Sequence, residues 1–294
     1  MNFDNLFPDE REKGNTPSRQ SQLVMLRMLK IMDYLCAKHK IDYFLVGGCL
    51  LGAIRHKAFI PWDDDLDVGM TRDNYEKFIK YAVPELPHDI FFQNAYTDPF
   101  YSQNNNVEAR LRDKYSSYTH LNGEKNKWHE GLQVDIFVYD CAFLPHQFFI
   151  IAQNYLLLKL FHNKNKRAKV LKFISKFCPF PLAYASSHFQ FFNELRHSPT
   201  HILKKELSKL IRTKFEDMEV SIAQGWDSCL KRQFGDYMQL PPAESRTSPH
   251  RVLTNPFTPC DHSEILHWQS RNDKRMAKVF SPAPKSILTN TNLD

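Results

Sequence analysis

None of the six cysteines (Cys36, Cys49, Cys141, Cys178, Cys229 and Cys260) stands in a Cys-x-x-Cys pair. That excludes the common paired-cysteine zinc sites and fits thiols kept reduced in a cytosol. Long apolar runs are absent too: none approaches the ~20 residues that a helix needs to cross a bilayer. The opening Met1–Glu10 has no basic-then-apolar order, so no signal peptide is expected. Charge of one sign is scarce. Lys+Arg number 39 and Asp+Glu 33, a net +6. So mild an excess does not mark a nucleic-acid binder, and no nucleic-acid partner is expected; anionic substrates or an anionic membrane surface explain it equally well. No internal repeat is found. What remains is a chain of 294 residues, 42% hydrophobic, with mean hydropathy −0.50. It is long enough for one large or two small domains with a substantial core.

The richest stretch runs from Tyr43 to Met70. Tyr43–Val46 is aromatic and aliphatic and leads into Gly47-Gly48, and the following Cys49–Arg55 has helical composition. An apolar run ending in glycines reads as a buried strand and a sharp turn. A turn that opens a helix presents free backbone N–H groups, which favour phosphate. An ordinary strand–helix turn would look the same. The acidic run Asp63-Asp64-Asp65-Leu66-Asp67-Val68 adds a second signal. On a strand, Asp65 and Asp67 point to one face while Leu66 and Val68 point to the other, into the core. Two carboxylates so placed repel each other, and a divalent cation relieves the repulsion; Mg²⁺ or Mn²⁺ is expected, bound by these carboxylates and substrate phosphate oxygens. The blander alternative is a solvated acidic loop. A calcium loop beginning at Asp63 is excluded, because its sixth position would be Val68 rather than Gly and its twelfth Asn74 rather than Glu.

A third carboxylate is expected from Gly131–Asp140, where Val134, Ile136 and Val138 alternate with Gln133, Asp135 and Phe137. Asp135 sits mid-strand, where an unpaired carboxylate is costly. Asp140 at the strand end reads as a site residue or as a turn or cap. Arg110 and Arg112 lie two apart on another expected strand, so both can face the carboxylates; guanidinium forks suit a diphosphate, and ion pairing with Glu108 or Asp113 is the alternative. Arg55, His56 and Lys57 lie between the turn helix and the acidic strand, where any of them could contact phosphate, and His56 could assist proton transfer. Trp62 is expected to pack on the loop rather than to bind a quaternary ammonium.

With these residues in view, the chain resembles the LicD family, bacterial phosphocholine transferases related to fukutin and fukutin-related protein. The resemblance rests on Gly47–Met70, on Arg72–Phe78, Arg110–Asp113 and Val134–Phe137, and on Phe234–Pro242. It spans most of the chain, and the Gly47–Met70 motif is its specific part. It implies an α+β, nucleotidyltransferase-like fold with Gly47 and Gly48 in the turn, Asp65 and Asp67 on one strand and Asp135 on a neighbour. It also implies transfer of a phospho-alcohol, most commonly phosphocholine from CDP-choline, to a sugar hydroxyl of lipopolysaccharide, teichoic acid or a related glycan. The expected partners are thus a CDP-alcohol donor and a glycan or glycolipid acceptor. Tyr237 and Pro241-Pro242 would shape the rim. The sequence departs from the family pattern at three places: Cys49 where Ser or Thr is usual, Ala58 for Gly, and Val138-Tyr139 for Pro-Leu.

Expected organisation follows. Residues 1–19 read as a flexible lead-in, 20–250 as the LicD-like domain, and 251–294 as an irregular or disordered extension. A mixed sheet with flanking helices forms the core. Helices are expected over Ser21–Lys40, Thr71–Ala82, His201–Glu219 and Trp226–Tyr237, with a helical insertion at 145–220 making the C-terminal half helical. The apolar 147–161 and the basic 162–169 read as a subdomain packing on the sheet. The alternative is a surface resting on the inner face of the cytoplasmic membrane. The expected activity is metal-dependent phospho-alcohol transfer with catalytic and metal-binding Asp65, Asp67 and Asp135, and substrate-binding Gly47, Gly48, Arg55, His56, Arg110 and Arg112. The alternatives are a nucleotidyltransferase acting on a small molecule, or a non-catalytic scaffold for glycan assembly.

Overall fold

A computed structural model describes residues 3–98, 100–101, 107–120, 127–143, 182–186, 201–248, 250 and 252–260, with isolated positions 166, 169, 170 and 173. Expectations for 147–161 and for the tail from Ser281 lie outside the described residues, as does most of 170–177.

The helices are α1 (Phe3–Leu6), α2 (Pro17–His39), α3 (Gly47–Arg55), α4 (Arg72–Lys77) and α5 (Trp226–Phe234). The strands are β1 (Phe44–Leu45), β2 (Asp67–Thr71), β3 (Ile90–Gln93), β4 (Ala109–Asp113), β5 (Ser117–His120), β6 (Gln133–Phe143), β7 (Leu182–Ser186), β8 (His201–Leu203), β9 (Leu210–Phe215), β10 (Met218–Ala223) and β11 (Val252–Asn255). A seven-stranded mixed sheet runs β1-β2-β6-β4-β3, with β7 added beside β6 and β8 beside β7. The β2–β6 pair is parallel and the others antiparallel. The architecture is α+β, as expected.

The long helix α2 forms for local reasons. Thr16 accepts a hydrogen bond from the Arg19 amide at 3.2 Å, Pro17 opens the first turn, and Lys40 ends the helix in the left-handed region at φ 55°. Val24, Met25, Met28, Ile31, Met32, Leu35 and Cys36 are all buried on its inner stripe. They pack in one core with Val68, Met70, Leu111, Val134, Ile136 and Val138 of the sheet. Burying each large side chain contributes about 1.5–3 kcal/mol, and the alternate sheet positions are thereby left for the opposite face. The helix expected over Thr71–Ala82 is present as α4, continued by a π-turn over Phe78–Ala82.

Three segments differ from expectation. His201–Glu219 is not helical. Its residues form β8, β9 and the start of β10, and β9 pairs with β10 through the turn at Glu216, whose φ is 57°. Tertiary contacts hold that turn. Both Glu216 oxygens accept from Arg19, at 2.8 and 2.7 Å, and Phe215 stacks edge-on against Phe59 at 4.9 Å. Among the described residues of 201–260 the one α-helix is α5, and β7 and β8 extend the main sheet, so this part of the C-terminal half holds more strand than helix. Residues 3–16, expected as a flexible lead-in, instead pack on the domain. Phe3 and Arg11 are buried, and Phe7 stacks against Tyr34 at 5.8 Å. Residues 252–255 likewise join the fold, with β11 pairing β5. Among the described residues no helix is long and apolar enough to cross a membrane.

Candidate active site

Lateral neighbours in a sheet project to the same face. The register places Asp67 beside Asp135, Asp135 beside Arg110, and Arg110 beside Gln93. A polar row thus crosses β2, β6, β4 and β3 on the face turned away from α2. At its β1 end stands the glycine turn. The Val46 amide donates to the Asp67 carbonyl at 3.3 Å, and Gly47 follows at φ 56°, a conformation that glycine tolerates. A Cβ on Gly47 would approach Asp67 Oδ2 to 3.3 Å, and one on Gly48 would meet Asp63 Oδ2 at 2.8 Å. The glycines therefore make room for carboxylates. Among the described residues the N-cap side chain makes no hydrogen bond to α3, whose first turn opens at Gly47 beside those carboxylates.

Cys49 is buried behind this turn. It accepts from the Asp67 amide at 3.1 Å, and its thiol lies 3.8 Å from the Asp65 carbonyl. It thus fixes the backbone between the two aspartates and lies behind the cleft. The Asp135 amide donates to the Leu66 carbonyl at 2.7 Å, extending the parallel pairing to the acidic loop. Gln22 of α2 holds that loop through the carbonyls of Ile60 and Asp63, at 3.2 and 3.1 Å.

The electrostatics are those of a crowded anionic site. Burial, then the charge of Asp64, pushes Asp63 up to about 6. Burial, then neighbouring carboxylates, raises Asp65 and Asp67 well above the usual range. Among the described residues no hydrogen bond or ion pair reaches the Asp67 carboxylate. Arg110 donates to Asp135 at 2.8 Å, and its cation lies 5.4 Å from the Tyr101 ring centre. Burial opposes the Arg110 charge, but Asp135 holds its pKa above the ordinary value. The second cation, His250, was not among the expected residues. Its Nδ1 lies 2.7 Å from Asp64 Oδ1 and its Nε2 3.5 Å from Asp65 Oδ2, and Ser248 donates to Asp64. The hydrogen bond to Asp64 raises His250 to about 9. Burial works to raise Asp64, but the bonds from His250 and Ser248 bring it below the usual range.

Of the expected site residues, the structure gathers Gly47, Gly48, Asp65, Asp67, Asp135 and Arg110. Arg112 shares their face but turns away, donating to Gln93 at 2.8 Å, to the Gly131 carbonyl at 2.7 Å and to Gln133. Burial, then the Arg110 charge, pushes it down to about 10. Arg55 donates to the carbonyls of Tyr237 and Gln239, at 2.9 and 3.2 Å, tying α3 to the rim. His56 lies edge-on to Trp62, 6.2 Å away, and burial lowers its pKa. Asp140 is a structural partner, held by Arg72 at 3.0 and 2.8 Å. Asp64, Ser248 and His250 are the residues that the sequence pattern missed. The acidic run marked the first, but no local signal marked the other two, which lie more than 180 positions away.

Among the described residues, the group of Asp63, Asp64, Asp65, Asp67 and Asp135 is contacted by two cations, Arg110 and His250. A divalent cation fits this imbalance, and oxygen donors from Asp65, Asp67 and Asp135 suit Mg²⁺ or Mn²⁺. Without a cation, Asp63 and His250 set the sign of this cluster's own contribution to the pH dependence. In the folded state Asp63 binds its proton more tightly between about pH 3.8 and 6, as His250 does between about 6.5 and 9, so stability falls as pH rises through both windows. The melting temperature of chelator-treated protein is therefore expected to be higher at pH 5.5 than at pH 8.5, and saturating Mn²⁺ to narrow the gap. A flat profile in chelator would contradict this charge arrangement.

Residues 40–184 match the family described as LicD/FKTN/FKRP, nucleotidyltransferase domain. The chain is 29% identical over 260 residues to the lipopolysaccharide cholinephosphotransferase LicD of Haemophilus influenzae, covering 80% of this chain and 96% of that protein. An uncharacterized protein of Rickettsia prowazekii, RP689, is 33% identical over 91 residues, 30% of this chain and 34% of its own length.

Proposed function

From a chain whose residues 40–184 belong to the LicD/FKTN/FKRP nucleotidyltransferase domain family, we propose an enzyme that transfers phosphocholine from CDP-choline to a sugar hydroxyl of a lipopolysaccharide-type glycan in a metal-dependent reaction. The observation that carries this reading is the row Gly47–Asp67–Asp135–Arg110, which sets a helix start, two carboxylates and a guanidinium on adjacent strands.

In this reading the amides opening α3 receive the donor diphosphate, because they lie at the positive end of a helix that no N-cap side chain caps among the described residues. Asp65, Asp67 and Asp135 hold a divalent cation, which when bound offsets phosphate charge and lowers the pKa of the acceptor hydroxyl. Arg110 holds Asp135 Oδ1 and leaves the other oxygen for the cation or for the acceptor proton. The acceptor oxygen bonds to the phosphorus bearing choline, the bond from that phosphorus to the CMP oxygen breaks, and the hydroxyl proton passes to a base such as Asp135. Arg55 and Tyr237 shape the rim through their mutual hydrogen bond.

The test is product identity. With CDP-choline, a lipopolysaccharide acceptor and Mg²⁺ or Mn²⁺, free CMP and a choline-bearing glycan are expected, with neither formed in chelator. CDP-ribitol and CDP-glycerol are the comparison donors, and a faster reaction with either would reassign the transferred group. Pyrophosphate released from CTP or ATP instead would identify a nucleotidyltransferase and overturn the assignment.

A further inference from the structure

Ser248 and His250 lie against the acidic loop, shortly before β11. Both bind Asp64, and β11 pairs with β5. The two nitrogens of His250 have different environments. Nδ1 makes a 2.7 Å hydrogen bond to Asp64, whereas Nε2 faces Asp65 Oδ2 at 3.5 Å, too far for a good hydrogen bond. Two ligands of one first-row ion, each about 2.1 Å from it, lie about 3–3.5 Å apart. Ligand atoms from Asp64, Asp65 and His250 all lie within 4.8 Å of one another.

We propose that His250 Nε2 is a direct nitrogen ligand of the divalent cation held by Asp65, with Asp64 as the positioning carboxylate that keeps the proton on Nδ1. Resting on the metal-dependent reading above, the inference adds a ligand from a distant segment and a preference among metals. The Nδ1–H to carboxylate contact is the arrangement that fixes tautomer and ring plane in histidine–metal sites, and Ser248 in turn fixes Asp64. A nitrogen donor among oxygens tilts selection away from Mg²⁺, which favours all-oxygen shells, toward transition ions such as Mn²⁺. It also makes cation binding depend on His250, a residue more than 180 positions from the acidic loop.

The experiment is Mn²⁺ titration of the purified full chain with electron spin-echo modulation of the bound ion. Directly coordinated imidazole ¹⁴N coupling is expected in the native chain. In His250→Gln it should vanish, with Mn²⁺ affinity about tenfold weaker and Mg²⁺ affinity within twofold; Asp64→Asn should weaken Mn²⁺ by about 10- to 100-fold. Bound Mn²⁺ without ¹⁴N coupling in the native chain would overturn the nitrogen ligand while leaving the Asp65–Asp67–Asp135 reading standing, and that spectrum decides even if a variant fails to fold. No bound Mn²⁺ at all would overturn both.

Discussion

Asp67→Asn is expected to reduce kcat/KM for phosphocholine transfer at least 1,000-fold, about 4 kcal/mol of transition-state stabilisation, and to raise the melting temperature of the metal-free protein. The two effects share one cause. Asp67 is surrounded by Asp65, Asp135 and Asp63, with no donor on its carboxylate among the described residues. Its charge is unfavourable to the fold alone and useful only when a cation is shared with its neighbours. The neutral amide removes the repulsion and keeps the shape, so Gly47 retains its close contact with the side chain. Asp65→Asn should behave likewise in activity. Steady-state rates and calorimetric melting in chelator check both halves. A folded Asp67→Asn protein with native activity would sink the mechanism, and a lower melting temperature in chelator would sink the electrostatic account.

Arg11→Met is expected to destabilise the chain by about 3–5 kcal/mol, the cost typical of leaving a buried charge without its partner. Arg11 Nη2 lies 2.9 Å from Asp113 Oδ1, and both side chains are almost fully buried. The same guanidinium donates to Asp9 at 2.8 Å and to the Pro256 carbonyl. One side chain thus joins the N-terminal segment, the end of β4 and the chain leaving β11. Loss of its charge strands Asp113, which burial already pushes upward. For a chain of this size the melting temperature should fall by about 10 °C. The double variant Arg11→Met/Asp113→Leu should recover part of that loss, since it removes the stranded charge. An unchanged melting temperature for Arg11→Met would mean that residues 3–16 contribute nothing to the domain.

Much of the site was readable because its signals are local. The alternation around Leu66 and Val68, and around Val134, Ile136 and Val138, assigned faces to Asp65, Asp67 and Asp135, and the burial of those five apolar residues bears the assignment of the inner face out. The β9–β10 hairpin shows where such reading fails. Ile211, Phe215, Met218 and Ile222 fall at helical spacing, so their pattern fits a helix as well as two strands. The choice lies in Glu216, bound by Arg19 from α2, and in the Phe215–Phe59 contact, both non-local. The same holds for the arginines. Spacing put Arg110 and Arg112 on one face, which is correct, but only the neighbours on β3 and β6 decide that the first meets Asp135 and the second meets Gln93 and Gln133.

The sequence by itself determined the glycine turn, the faces of the acidic strands and the stripe of α2, because backbone sterics and side-chain periodicity act over a few residues. Tertiary structure alone decided that Asp67, Asp135 and Arg110 form one row, that Arg11 buries the N-terminal segment against Asp113, and that His250 reaches Asp64 and Asp65. Those contacts join residues distant along the chain, and their energies depend on burial and charge pairing that exist only once the sheet has assembled.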